Sequence, residues 1–223
     1  MVVTGLPVAY LVSDQERLKE IISNFLVAKG ADREKVEVLV LPQPLGTFLQ
    51  VSYDDRLSPI DPDLIHGKTG VVDVGFYTTD FISMKDGAPV FKDMGSIEHG
   101  VHSLLSAAAL DIERTFDFRL DVYSTEEAIR RGSVRKHGKE IDITSMARKH
   151  KKNLADKILG HARTLWGNAG ELEKIFFTGG GSAMLGDIVC DHFPNAMLVS
   201  NSDMANAGGF YRMATAMARQ KGW

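Results

Sequence analysis

The chain has 223 residues, 26 basic and 29 acidic, so its net charge is −3 and it lacks the basic excess that direct DNA binding needs. Hydrophobic residues make up 44% and charged residues 25%, the balance of an ordinary globular protein, which excludes a disordered or fibrous chain. One cysteine, Cys190, can form no internal disulfide, and no apolar run reaches the about 18 residues of a membrane span.

Met1 to Val12 is apolar but holds Thr4 and Pro7 and no basic start, which fits a strand better than a leader and predicts a cytoplasmic protein. Ser13-Asp14-Gln15-Glu16 has the spacing of a capping box with Ser13 as N-cap. Leu18, Ile21, Ile22, Phe25 and Leu26 then make one helical stripe that Gly30 ends. Val36 to Leu41 alternates into a strand closed by Pro42 and Pro44, and strand, helix, strand implies a parallel crossover. Residues 47–69, rich in Asp, Ser, Pro and Gly, read as a link.

A second unit opens at Gly70. Strands Val71–Val74 and Thr78–Met84 form a hairpin about Gly75, a third strand runs Pro89–Phe91, and a helix from about Ser96 to Thr115 carries the stripe Ile97, Val101, Leu104, Leu105, Ala108 and Ile112. On that helix Glu98 and His102 make an ordinary surface pair. Between Phe116 and Gly167 lie a second capping box at Ser124-Thr125-Glu126-Glu127, a hairpin turning at His137-Gly138, and a long helix from Thr144 to Trp166. Its basic cluster, Arg148 to Lys152, reads as a solvated face. The strand Lys174–Thr178 then enters Gly179-Gly180-Gly181-Ser182, followed by a helix to His192 that buries Cys190 as an inert thiol, and by a last helix from Asp203 to Arg219.

Two of these turns carry chemistry. Backbone N–H groups at the Gly75 turn converge into an anion-binding concavity, and Asp73, which would repel a phosphate, suits water held on a Mg2+ ion. Three glycines in a row bare the backbone where a strand gives way to a helix, so a flat ring or a ribose can lie against it. His99, His102 and His161 have no partner at metal-ligand spacing, so no zinc site is expected.

Asp73-Val74-Gly75 with Thr78-Thr79-Asp80, Gly179-Gly180-Gly181-Ser182, Ala205-Asn206-Ala207-Gly208-Gly209-Phe210-Tyr211, Thr4-Gly5-Leu6-Pro7 and Pro42-Gln43-Pro44-Leu45-Gly46, in this order, resemble the second half of an actin-type ATPase. The resemblance is to plasmid-segregation actins of the ParM/StbA kind and their archaeal and phage relatives. It implies an α/β, actin-like ATPase (ribonuclease H-like) fold with a complete second domain and a partial first one. Residues 1–65 would end the first domain, 66–207 would form the second with an insert at 116–167, and 208–223 would return to the first. It further implies ATP or ADP with Mg2+, the metal on Asp73. Gly75, Phe76 and Tyr77 would meet the terminal phosphate, Gly179, Gly180, Gly181 and Ser182 the adenosine, and Gly95 the ribose. Many relatives have a second glycine where this chain has Phe76. The family's first phosphate loop has no counterpart here, so the chain resembles a C-terminal fragment or a natural short form; ATP hydrolysis stays open and no catalytic residue is assigned. Self-association into filaments, contact with DNA only through an adaptor, and no membrane partner are the implied associations. A small-molecule kinase or chaperone-type ATPase of the same fold, or a non-catalytic interaction module, is the alternative.

Overall fold

The computed structural model describes all residues, 1–223. Strand β1 (Val2–Leu6) pairs in parallel with β2 (Val38–Pro42), Val2 opposite Val38 and Leu6 opposite Pro42, through the crossover helix α1 (Leu11–Ala28). Ser13 is not the N-cap. A tight turn at Val8–Tyr10 runs directly into α1, and Ser13 Oγ donates to Tyr10 O and Asp14 Oδ2 instead. The helix starts early because Asp80 anchors the Val8 N–H at 2.7 Å, fixing the chain where it leaves β1. Gly30, at φ +95°, stops it.

The expected link begins inside a helix. Gln43–Ser52 forms α2, with Pro44 in its first turn, and Pro62–His66 forms the short α3, capped by Asp61. In α2, Pro44, Gly46, Thr47, Phe48 and Ser52 are all buried, so it shows no polar face and no legible helical period.

The main sheet has the order β10 (Ala196–Leu198), β9 (Lys174–Thr178), β3 (Lys68–Val74), β4 (Thr79–Lys85) and β5 (Ala88–Pro89), with β6 (Gly95–Ile97) also on β4. β10, β9 and β3 run parallel, and β4 turns back at Gly75. Residues 95–97 are therefore strand, and helix α4 spans Val101–Phe116; the edge of β4 captures the backbone that the sequence assigns to the start of the helix. His102 accordingly lies in the first turn of α4, while Glu98 precedes the helix.

One face of the sheet (Val72, Val74, Phe81, Ile175, Phe177) meets α4, α6 (Thr144–Trp166) and α7 (Ser182–Cys190) in the larger core. The other (Val71, Ile82, Met84, Phe176) packs on Phe48 of α2 and Leu64 of α3. Between α4 and α6, helix α5 (Val122–Arg131) and the hairpin β7 (Ser133–Lys136) and β8 (Lys139–Asp142) form a small outer layer. Asp121, not Ser124, caps α5, accepting the Ser124 N–H at 2.7 Å. The last helix, α8 (Ala205–Gln220), lies on α2 and β1. At that crossing a Cβ on Gly209 would sit 1.8 Å from the Gly46 carbonyl oxygen, so both helices need glycine there. The expected boundaries at 65/66 and 207/208 fall inside α3 and α8.

Candidate functional site

Alternation along each strand sets a polar row across the sheet. Asp73 lies opposite Thr178 on β9 and Asp80 on β4, and Asp80 lies opposite Ser96 on β6. Asp73, Thr178 and Asp80 all face the side where α2 packs with α8 behind it, so these three groups are buried beneath helices. Thr178 Oγ1 lies 3.0 Å from Thr47 Oγ1 of α2.

Asp73 is 5% exposed, and burial pushes its carboxyl up to about 6; the Asn206 side chain opposes the rise and the Asp80 charge adds to it. Asn206, from the first turn of α8, donates to Asp73 Oδ2 at 2.6 Å while its own carbonyl accepts from the Thr47 N–H and hydroxyl. The sequence shows no neighbour for Asp73; the fold brings one from 133 positions away. Burial also raises Asp80, against the Val8 N–H and the Thr78 hydroxyl that bond it.

Above this row runs a cleft. One end, about 520 Å3, is lined by Tyr10 and Gln43 on one side, Asp73 and the Gly75–Thr78 turn below, and Gly179, Gly180, Asp203 and Asn206 opposite. A second cavity of about 500 Å3 shares Phe76, Gly180, Ser202 and Asp203 and continues to Glu126 and Arg130 of α5. The sequence assigns no site role to Tyr10, Asn206, Glu126 or Arg130; Asn206 stands only within the Ala205–Tyr211 motif, and the other three gain their place from the fold alone.

The backbone donors divide sharply. Gly75 N–H is taken by Thr78 O at 2.9 Å, so it does not face the cleft as a free donor, whereas Phe76 and Tyr77 N–H have no protein acceptor. The carbonyls of Gly75 and Phe76 accept from Val101 and His102 N–H at 3.1 and 2.8 Å, which fastens the turn to the start of α4. Gly100 is bare because a Cβ there would lie 2.5 Å from both carbonyl oxygens. The rings of Phe76, Tyr77 and His102 cluster over the turn with centroids 4.8 to 5.4 Å apart.

In the glycine run, Gly179 N–H bonds Ser202 O, Gly181 N–H bonds Val74 O and Ser182 N–H bonds Gly179 O, leaving Gly180 N–H free. Ser182 is buried and its hydroxyl donates to Gly179 O, so it closes the turn instead of facing the cleft. A Cβ on Gly181 would strike Val101 and Val74, and one on Gly180 would meet nothing within 4 Å. Gly95 stands apart. It pairs with Phe81 in the sheet and faces His161 and Leu165 of α6, away from both cavities.

No group of three or more His, Cys, Asp or Glu side chains comes together to hold a metal. Mg2+ needs less, since it keeps several waters and shares phosphate oxygens, and a buried carboxylate with a raised pKa is relieved by a cation. Asp73 fits that role.

The family model of the archaeal MreB-like actin homologue, C-terminal part, matches residues 71–190, more than half of the chain. Among solved structures, a ParM filament from Clostridium botulinum is 23% identical with a TM-score of 0.78, covering 96% of this chain and 66% of that one. An archaeal actin homologue in complex with ADP is 23% identical, TM-score 0.67, over 80% of this chain and 57% of that one. MreB5 of Spiroplasma citri bound to ADP is 17% identical, TM-score 0.75, over 99% and 70%. The chain thus spans little more than half of the archaeal protein and about two thirds of the ParM. No curated protein matches it by sequence. The family match spans residues 71–190, which hold both the Gly75 hairpin and the glycine run, and the chain belongs to the archaeal MreB-like actin homologues, whose C-terminal domain it carries.

Proposed function

We propose that this chain binds ATP or ADP with Mg2+ in the cleft between the Gly75 turn and the glycine run, as part of a filament-forming actin-like protein of the cytoskeletal or DNA-segregating type. The observation that carries it is the set of unpaired N–H groups on Phe76, Tyr77 and Gly180 around the buried Asp73 carboxylate. Phe76 and Tyr77 N–H would meet the terminal phosphate, Asp73 would hold the hydrated metal, and Gly180 would leave room for the sugar and base, with Glu126 and Arg130 at the far end. When bound, the metal would neutralise phosphate charge. No Lys, Arg or His side chain lines the Gly75 end, so the backbone N–H groups and the metal would share the task.

Residues 1–65 would then close the cleft from the first domain, with DNA reached only through an adaptor and no membrane involved; no helix is long and apolar enough to cross one. Calorimetry with ADP, with and without Mg2+, tests the reading. Binding should fall at least about tenfold when the metal is chelated, since each charge-assisted contact is worth about 1.5–3 kcal/mol. No heat with ADP, metal present, would leave a non-catalytic interaction module.

A further inference from the structure

Asp73 and Asp80 are both buried, yet only one of them keeps an unbonded oxygen. Asp80 Oδ1 accepts the Val8 N–H at 2.7 Å and its Oδ2 the Thr78 hydroxyl at 3.0 Å, so both are taken up within the fold. Asp73 Oδ2 accepts from Asn206 at 2.6 Å, while its Oδ1 accepts nothing. The polar side-chain atoms sealed without a partner belong to Ser52, Ser96, His99 and His161, not to Asp73, so Oδ1 opens on the cleft that Asp73 lines. Resting on the nucleotide and metal reading just proposed, we infer that Asn206 is a positioning residue: it pins the Asp73 carboxylate by Oδ2 so that a single oxygen meets the metal, and thereby selects Mg2+ over Ca2+.

The pin has one polarity. The Thr47 N–H can only donate, and Asn206 Oδ1 accepts it at 3.1 Å, so the amide oxygen faces α2 and the NH2 group faces Asp73. Thr47 Oγ1 donates to the same amide oxygen at 2.8 Å, which leaves it an acceptor toward Thr178 Oγ1, 3.0 Å away. Donation thus runs in one direction, from Thr47 to Asn206 to Asp73, and each bond strengthens the next. Thr47 and Thr178 are fully buried, so no water competes for the amide oxygen from that side. Held from α2 and β9, the amide cannot turn without breaking two bonds to Thr47.

One fixed oxygen discriminates between hard cations. Ca2+ takes about six to eight oxygens in flexible geometry and readily uses both oxygens of a carboxylate, whereas Mg2+ keeps several of its waters and is served by one or two carboxylates together with phosphate oxygens. A carboxylate with Oδ2 already bonded meets the second demand and fails the first. Asp203, the other acid at this end of the cleft, is exposed and makes no hydrogen bond, so it adds no fixed second point.

ADP binding measured by calorimetry at saturating Mg2+, at saturating Ca2+ and with divalent metal chelated tests this on wild type, Asn206→Ala and Thr47→Val. Thermal unfolding without metal or nucleotide shows that each variant is folded. The ratio of affinity in Mg2+ to that in Ca2+ should fall roughly tenfold in Asn206→Ala, where the carboxylate is free to turn and offer both oxygens, and about threefold in Thr47→Val, which removes only the hydroxyl that braces the amide. A merely structural role would lower the melting temperature or weaken binding in both metals alike, so a ratio unchanged in Asn206→Ala overturns the inference. If that variant is unfolded at the assay temperature, Thr47→Val decides alone, since it keeps the Asn206 side chain and the N–H bond from residue 47. A wild type that binds no ADP, or binds it equally with metal chelated, would sink the metal reading itself and the inference with it.

Discussion

Gly179 and Gly180 are neighbours with different reasons to lack a side chain. Gly179 sits at φ +83°, and a Cβ there would come within 2.3 Å of Asp73 Oδ1, so Gly179→Ala should destabilise the fold by at least about 2 kcal/mol in denaturant unfolding. At Gly180 the added atoms enter only the cleft. Gly180→Val should leave unfolding within about 0.5 kcal/mol of wild type yet abolish nucleotide binding by calorimetry. Asp73 gives a pH test in metal-free buffer. A carboxyl raised from 3.8 to about 6 by burial favours the proton in the folded state, so its contribution to stability is full below about 4 and lost as pH rises through about 6. Asp73→Asn should flatten that slope, raise the melting temperature at neutral pH, and remove Mg2+-dependent nucleotide binding. Asp73 and the glycine run were legible because a strand ending at a special turn is a local signal. The pairing of Asn206 with Asp73 and the place of Arg130 were not, since both depend on helices that arrive from distant sequence.

At the level of elements, local chemistry was read well where nothing distant competed. The two-residue turn His137-Gly138, at φ +49° and +77°, and the helix Thr144–Trp166 stand where turn preference and period place them. Both capping boxes gave way. Asp121 wins at α5 because it comes first and its carboxylate reaches the Ser124 N–H, while α1 starts from a chain already pinned by Asp80. The hidden helix α2 was illegible because its partners surround it, and this makes its crossing with α8 sensitive. Gly209→Ala drives a methyl into the Gly46 carbonyl, which backbone cannot relieve. Its expected cost is about 3 kcal/mol or more, with α8 becoming the first site of limited proteolysis.

Across the molecule, stability is unevenly spread. The larger core joins 23 buried residues, whereas α1 buries none and leaves Ile21 and Phe25 more than half exposed. Native-state hydrogen exchange should therefore show β1, α1 and β2 opening well before β3, β4 and β9; uniform protection would mean that the small sheet is held as firmly as the large one. The fastening of the Gly75 turn to α4 bears on how the cleft could hold an anion at all. All peptide bonds here are trans, so the carbonyl of Gly75 and the N–H of Phe76 point opposite ways from one rigid plane, as do the carbonyl of Phe76 and the N–H of Tyr77. Each carbonyl is polarised by an N–H at the positive end of α4, and each amide on the other side becomes the stronger donor for it. Two peptide planes thus act as relays, handing a helix's partial charge across the turn. The side chains at 76 and 77 are left free to be large and aromatic, because the chemistry passes through the main chain beneath them.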